Sequence, residues 1–311
     1  MKTARLWDWG LLLICNLIWA TQFVMLKIVQ VQLGPVSATF FPMAIATVCL
    51  LPVVWWQRRR SSEKSHLRLN DIWQFIMIGI LGQVVAQLFV TWGVRYSLAS
   101  NAALLMLTLP VITAVMAYFF LGETMSVVRW ISFALAIAGV LECSGIDWHA
   151  LNFTNREYLL GNVLILCSVG GSAFYNVYSK KLLTRYTPLE VLLYSYYAVI
   201  AVLLPITVRL EPAGFSLLPH LTPVVWAGVA ALALLQYFVS MVLYLTVLTR
   251  IDATQASLSN YMIPFFGVVV AALVLGEKLT GYMVVGGLLV LASTLLVTVY
   301  DEHRQRRLAG V

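Results

Sequence analysis

Charge is what this sequence has least of. Asp, Glu, Lys and Arg make up 11% of its 311 residues, against about 25% in a soluble domain, and the deficit excludes an ordinary globular enzyme. Cysteine is sparse too. Cys15, Cys49, Cys143 and Cys167 stand singly in apolar runs, which offers neither a disulfide framework nor a zinc-ligand spacing. There is no HExxH, no GxSxG, no GxxxxGKS/T and no Asp-rich pair of the kind that holds magnesium and diphosphate. The chain therefore reads as a non-enzyme, with no catalytic residue, no metal, no cofactor and no ATP site. Its net charge of +7 sits at the ends of apolar runs and not along one basic stripe, so no nucleic-acid partner is expected.

What the sequence has in abundance is apolar length. Hydrophobic residues form 61% of the chain. A bilayer crossing takes about 20 mainly apolar residues. Ten stretches qualify, at 9–29, 35–56, 72–94, 99–121, 126–144, 158–180, 188–209, 223–247, 253–275 and 281–300. The first has a basic start but no small-x-small cleavage pattern before Trp19, so it reads as a retained helix and not a signal peptide. Polar breaks fall at 57–71 and 145–157. The second makes 145–157 an outer linker between two five-helix units, 1–144 and 158–300, with a basic tail at 301–311. Placing the N-terminus in the cytoplasm and alternating sides puts 15 of the 20 Lys and Arg inside. Arg95, Arg156, Arg209 and Lys278 fall outside, and Lys27 lies within a span. Lys and Arg favour cytoplasmic loops, which predicts a multi-pass cell-membrane protein with both termini cytoplasmic.

The chain also repeats itself. Residues 99–123 read ASNAALLMLTLPVITAVMAYFFLGE, and residues 253–277 read ATQASLSNYMIPFFGVVVAALVLGE. Ala99 and Ala253, Ala102 and Ala256, Leu104 and Leu258, Pro110 and Pro264, Gly122 and Gly276, and Glu123 and Glu277 match at a constant spacing of 154 residues. Such fixed self-similarity marks an internal duplication. Five is an odd number, so the two units enter the membrane from opposite sides. The predicted fold class is an all-α integral membrane protein of ten transmembrane helices in two inverted five-helix repeats. In secondary transporters such repeats meet at a midplane site. Pro110 and Pro264 fall at mid-span, where proline removes a donor and clashes with the carbonyl one turn earlier. As helix kinks they belong against protein or a water-filled cavity; a packing kink without a substrate role is the alternative.

Local signals mark several helix ends. Thr187-Pro188-Leu189-Glu190 is a capping box with proline at the first helical position, and Asp252-Ala253-Thr254-Gln255 reads the same way. Gly122 and Gly276 read as C-caps. Glu123 and Glu277 follow them, placed to cap the next helix or to bond across the interface.

The repeated stretch, its Leu-Gly-Glu ends and the Gly/Ala-rich helices after it resemble the EamA-type transporters of the drug/metabolite transporter superfamily. Residues 92–102 look like the family's junction between the third and fourth helices. Ile18–Phe23 through Lys27 looks like its first-helix motif, and Gly171–Asn176 through Lys180 like the second-half echo. The resemblance covers nearly the whole chain and implies ten helices, two repeats and export of small metabolites. Many members carry an arginine in the second helix, where this chain reads Phe40-Phe41-Pro42-Met43. A substrate contact from that arginine is therefore not carried over.

Polar side chains inside the spans are costly and tend to face a bundle interior. Asn16, Trp19, Thr21 and Gln22 stand in the first span, and Gln83, Gln87, Thr91 and Trp92 in the third, with 83 and 87 on one face. Ser168, Ser172, Tyr175, Asn176 and Ser179 stand in the sixth. Gln236, Ser240 and Tyr244 share a face of the eighth beside Tyr237, and Ser257, Asn260 and Tyr261 lead to Pro264 in the ninth. Interhelical hydrogen bonding explains any one of them. Together they predict a wet midplane cavity. Its candidate substrate-binding residues are Trp19, Gln22, Gln83, Gln87, Trp92, Asn101, Tyr175, Asn176, Tyr237, Ser240, Tyr244, Asn260 and Tyr261. Lys27 is near the end of its span, where it can snorkel to the interface; the alternative is a gate or an anchor for a carboxylate.

No Asp, Glu or His and no Lys/Arg pair stands at mid-membrane. That argues against a proton relay and against phosphate recognition, which wants charged donors. The expected function is secondary transport, outward, of a small neutral or zwitterionic metabolite, amino-acid-like or drug-like, by alternating access. The partners are that small molecule and the lipid bilayer. A phosphorylated or nucleotide-sugar substrate, an intramembrane enzyme and a non-transporting scaffold are the alternatives. The oligomeric state is open at this level, a monomer being compatible.

Overall fold

A computed structural model describes residues 2–60, 67–96, 105–106, 108–143 and 156–263, with isolated positions from 266 to 300. Asn101, Pro264, Gly276, Glu277, residues 145–155 of the linker and the tail 301–311 lie outside the described residues, as does the Lys27 side chain.

The described secondary structure is helical throughout, without a strand. Six helices are long and apolar enough to cross a membrane: Trp7–Leu26, Pro35–Arg60, Leu69–Gly93, Leu159–Leu182, Pro188–Leu210 and Pro223–Leu248. Two shorter apolar helices, Leu109–Leu121 and Val127–Cys143, complete the first unit. Ala253–Leu258 opens the ninth predicted span. The chain is an all-α integral membrane protein. Its outer surface fits that setting, with Trp7, Phe119 and Val224 left 65–75% exposed, as side chains facing hydrocarbon are. Buried tyrosines 196, 237, 244 and 261 fill the interior.

Two spans expected to be continuous are interrupted. The first breaks between Lys2–Ala20 and Gln22–Val29. The fourth turns at Thr108 before Leu109–Leu121. One device makes both breaks. The N–H and hydroxyl of Thr21 both donate to the Ile18 carbonyl, at 3.1 and 2.7 Å. Those of Thr108 donate to the Leu105 carbonyl, at 3.1 and 2.6 Å. A threonine hydroxyl that takes a backbone carbonyl competes with the helical ladder. Pro110 is therefore not a mid-helix kink. It occupies the first turn of a new helix, where its missing N–H costs nothing.

Glycine permits close approach between the units. A Cβ on Gly171 would stand 3.0 Å from the backbone of Leu81, Gly82 and Ala86. The Leu69–Gly93 and Leu159–Leu182 helices thus pack backbone to backbone, as small residues allow in membranes.

Candidate functional site

A cavity of about 300 Å³ lies between the two units. Its wall comes from the first, third, fourth, sixth, eighth and ninth spans. Of the predicted residues, Trp19, Gln22, Gln83, Gln87, Tyr175, Asn176, Tyr237, Tyr244, Asn260 and Tyr261 line it, and Pro110 does too. Ser240 stands behind the wall, accepting the Trp19 indole N–H at 2.9 Å. Trp92 packs half-buried on the apolar core and is not among the lining residues. Gln236, Ser168 and Ser172, polar positions outside the candidate set, are in the wall. The apolar part of the lining includes Met106, Leu109, Met241 and Ile263. These had no sequence signal, because an apolar side chain reads the same whether it faces a cavity, a neighbouring helix or lipid.

Two π-helical stretches shape the wall. Ile78–Val84 interrupts the third span and Leu232–Val239 the eighth, and they begin 154 residues apart, the spacing of the duplication. Gln83 lies in one, and Gln236 and Tyr237 in the other. A wider turn redirects side chains that an α-helix would send elsewhere, and such turns recur at functional sites. Gln83 and Tyr237 are themselves 154 residues apart, as are Gln22 and Asn176. The cavity is thus walled by repeat-related pairs.

The polar groups inside form a directed chain. Gln236 Nε2 donates to Gln22 Oε1 at 3.0 Å, and Gln22 Nε2 donates to Gln87 Oε1 at 3.1 Å. The Trp19 and Tyr244 rings stand 5.2 Å apart, tilted by 52°. Gln236 Oε1, Tyr244 OH and Asn260 Oδ1 are buried without a hydrogen-bond partner. Buried polar atoms are nearly always paired, so these orphans on the cavity wall are left with capacity for a ligand or water. No charged side chain is among the described lining residues.

Ion pairs gather at one end of the bundle, where the first unit meets the second. Arg58 pairs with Glu190 at 2.9 Å, Arg129 with Asp252 at 2.9 Å and Arg185 with Asp71 at 3.4 Å. Arg250 pairs with Asp8 at 2.6 Å, and Lys180 lies 3.7 Å from Glu123. Among the described pairs only Lys180 to Asp252, 3.6 Å, stays within one unit. The predicted capping box at Thr187 is present, and Glu190 serves both it and Arg58. The one expected at Asp252 is not. The Asp252 side chain makes no cap bond, because Arg129 and Lys180 engage it. Burial works against its charged form, but the Arg129 hydrogen bond and the nearby Lys180 and Arg129 charges outweigh it and hold its pKa below 3.8. Glu123 supplies the cap instead, accepting the Ala253 and Thr254 N–H groups at 2.8 and 3.1 Å. Gly122 ends its helix in the left-handed region, at φ 69°, as its C-cap role requires.

At the opposite end, a carboxylate and a neutral pair join the units. Glu211 accepts the N–H groups of Val36 and Ser37 at 3.1 and 2.8 Å. Gln32 Oε1 accepts from Thr222 N–H and hydroxyl at 2.9 and 3.1 Å.

This is the layout of a multi-pass membrane transporter: two helical units around a shared pocket, mainly apolar with a few amide and tyrosine groups. The chain matches the EamA-like transporter family twice, over residues 7–143 and 159–299, and belongs to it. It is 25% identical to an uncharacterized transporter of Archaeoglobus fulgidus over 93% of this chain and 96% of that one. It is 28% identical to a protein of Streptantibioticus cattleyicolor named a probable terminal-alkyne amino-acid exporter, over 77% of each. A Rickettsia felis protein named an S-adenosylmethionine uptake transporter is 23% identical, over 90% of this chain and 88% of its own. A solved crystal structure shares the fold with a TM-score of 0.77 over 97% of this chain and 99% of that one, at 16% identity.

Proposed function

We infer that this transporter exports a small neutral or zwitterionic metabolite, amino-acid-like or drug-like, across the cell membrane by alternating access. The observation that carries the reading is the uncharged cavity between the units, with orphaned polar atoms in its wall. A net charge is costly to desolvate without a counter-charge, so uncharged walls favour substrates of zero net charge. The many Lys and Arg at the ion-paired end make that end cytoplasmic by the positive-inside rule, with both termini on that side. Alternating access then requires the cytoplasmic ion pairs and the outer Glu211 and Gln32 links to part in turn. The exporter name of the Streptantibioticus relative supports the outward direction. The uptake name of the Rickettsia relative is what favours the second reading, inward transport.

The test is transport by full-length protein in proteoliposomes carrying the double variants Gln32→Cys with Thr222→Cys, or Arg58→Cys with Glu190→Cys. Crosslinking either pair stops flux, and reduction restores it. Undiminished flux with either end crosslinked overturns alternating access. Cysteine labelling from outside intact cells that reaches the termini overturns the orientation.

A further inference from the structure

The transport reading leaves open which groups recognise a substrate, and the glutamine chain answers that. Gln236, Gln22 and Gln87 come from the eighth, first and third spans and all line the cavity. Each amide has one donor side and one acceptor side. Because Gln236 donates to Gln22 and Gln22 donates to Gln87, the chain ends in the Gln236 oxygen on one side and the Gln87 amide N–H on the other. Reversing all three amides exchanges the ends and keeps one of each. Gln236 Oε1 is buried without a partner, and so is Asn260 Oδ1; the two residues are only 6% and 8% exposed.

We propose that the open ends of the Gln236–Gln22–Gln87 relay, with Asn260, read a zwitterion: its ammonium at the acceptor end and its carboxylate at the N–H end of Gln87. Gln22 is the positioning residue, since it holds both neighbours and thereby sets the direction of the relay. Three observations converge on this. Orphaned oxygens call for a donor. The opposite end of the same chain calls for an acceptor. The absence of charge among the described lining residues disfavours a ligand that carries a net charge. In a purely structural chain a neighbouring helix would satisfy the buried Gln236 oxygen, and none does.

The proposal rests on the transport reading, and the experiment separates the two. Full-length protein in proteoliposomes is given radiolabelled methionine, leucine and phenylalanine, their N-acetyl derivatives and their methyl esters. The free amino acids are expected to enter at least about tenfold faster than either derivative, the effect of one buried partner left unmade. Gln22→Leu is expected to shrink that ratio toward one. Gln22→Asn, polar but too short to hold both neighbours, shrinks it as well while keeping the fold. Thermal stabilisation of the detergent-solubilised protein by the same compounds follows the same order. Equal entry of zwitterions and derivatives, or an unchanged ratio in both Gln22 variants, overturns the relay and leaves transport standing. Neither entry nor stabilisation by any compound overturns this substrate class, and the relay with it.

Discussion

The Glu123 carboxylate closes the N-terminus of the helix that begins at Ala253, 130 residues further along the chain, accepting two backbone N–H groups and the Thr254 hydroxyl. The free N–H groups at a helix start need acceptors, and here the acceptor comes from the other repeat. The helix it caps runs on to Asn260 and Tyr261 in the cavity wall. One carboxylate thus ties the ion-paired end of the bundle to the cavity.

Glu123→Ala is expected to lower stability by about 1–3 kcal/mol, the cost of buried donors left unmade. Asp252→Ala should cost less, since the Asp252 side chain is 44% exposed against 9% for Glu123. Thermal unfolding in detergent ranks the two. A larger loss from Asp252 would show that the Arg129 pair, and not the cap, holds the contact.

Acid should weaken the same contact in a defined window. The Asp252 pKa is below 3.8 when folded, so its contribution is fully present above pH 3.8. It declines as pH falls through the folded value and vanishes below it. The stability difference between wild type and Asp252→Asn should therefore be flat from pH 7 to 5 and close under acid. Unfolding measured across that range checks it, and a difference that grows on acidification contradicts the sign.

Gly171 has backbone where a side chain would go. Gly171→Val should destabilise by about 1–3 kcal/mol through overpacking. Gly170→Ala next to it, with nothing within 4 Å of its Cβ position, should stay within about 0.5 kcal/mol. Unfolding temperatures of the pair measure the contrast.

Deleting Leu235, an exposed residue inside the Leu232–Val239 stretch, should convert the wide turn to α-helix and swing Gln236 and Tyr237 out of the cavity. A π-helical turn carries an extra residue, so the flanking helix keeps its register and helicity by circular dichroism is unchanged. Ligand-induced thermal stabilisation should disappear. Retained stabilisation would mean that these two side chains do not contact the ligand.

The sequence by itself determined the apolar spans, the duplication and most of the polar positions around the cavity. Each is a local property: run length, a constant 154-residue spacing, a costly side chain in an apolar helix. The Thr187 capping box was legible for the same reason, being complete within four residues. Tertiary structure alone decided the rest. Glu123 displaced Asp252 as the cap because a partner from the other unit was within reach. Glu211 met Val36 and Ser37 in the same way. Thr21 and Thr108 broke helices that composition makes continuous, and the wide turns at 78–84 and 232–239 chose which glutamines face inward. Trp92 was excluded, and Met106 and Met241 admitted, by helix rotation. Rotation is set by which neighbours pack, and in a span this apolar the sequence does not say which apolar or aromatic side chains beside the polar face will meet a cavity and which will meet a neighbour.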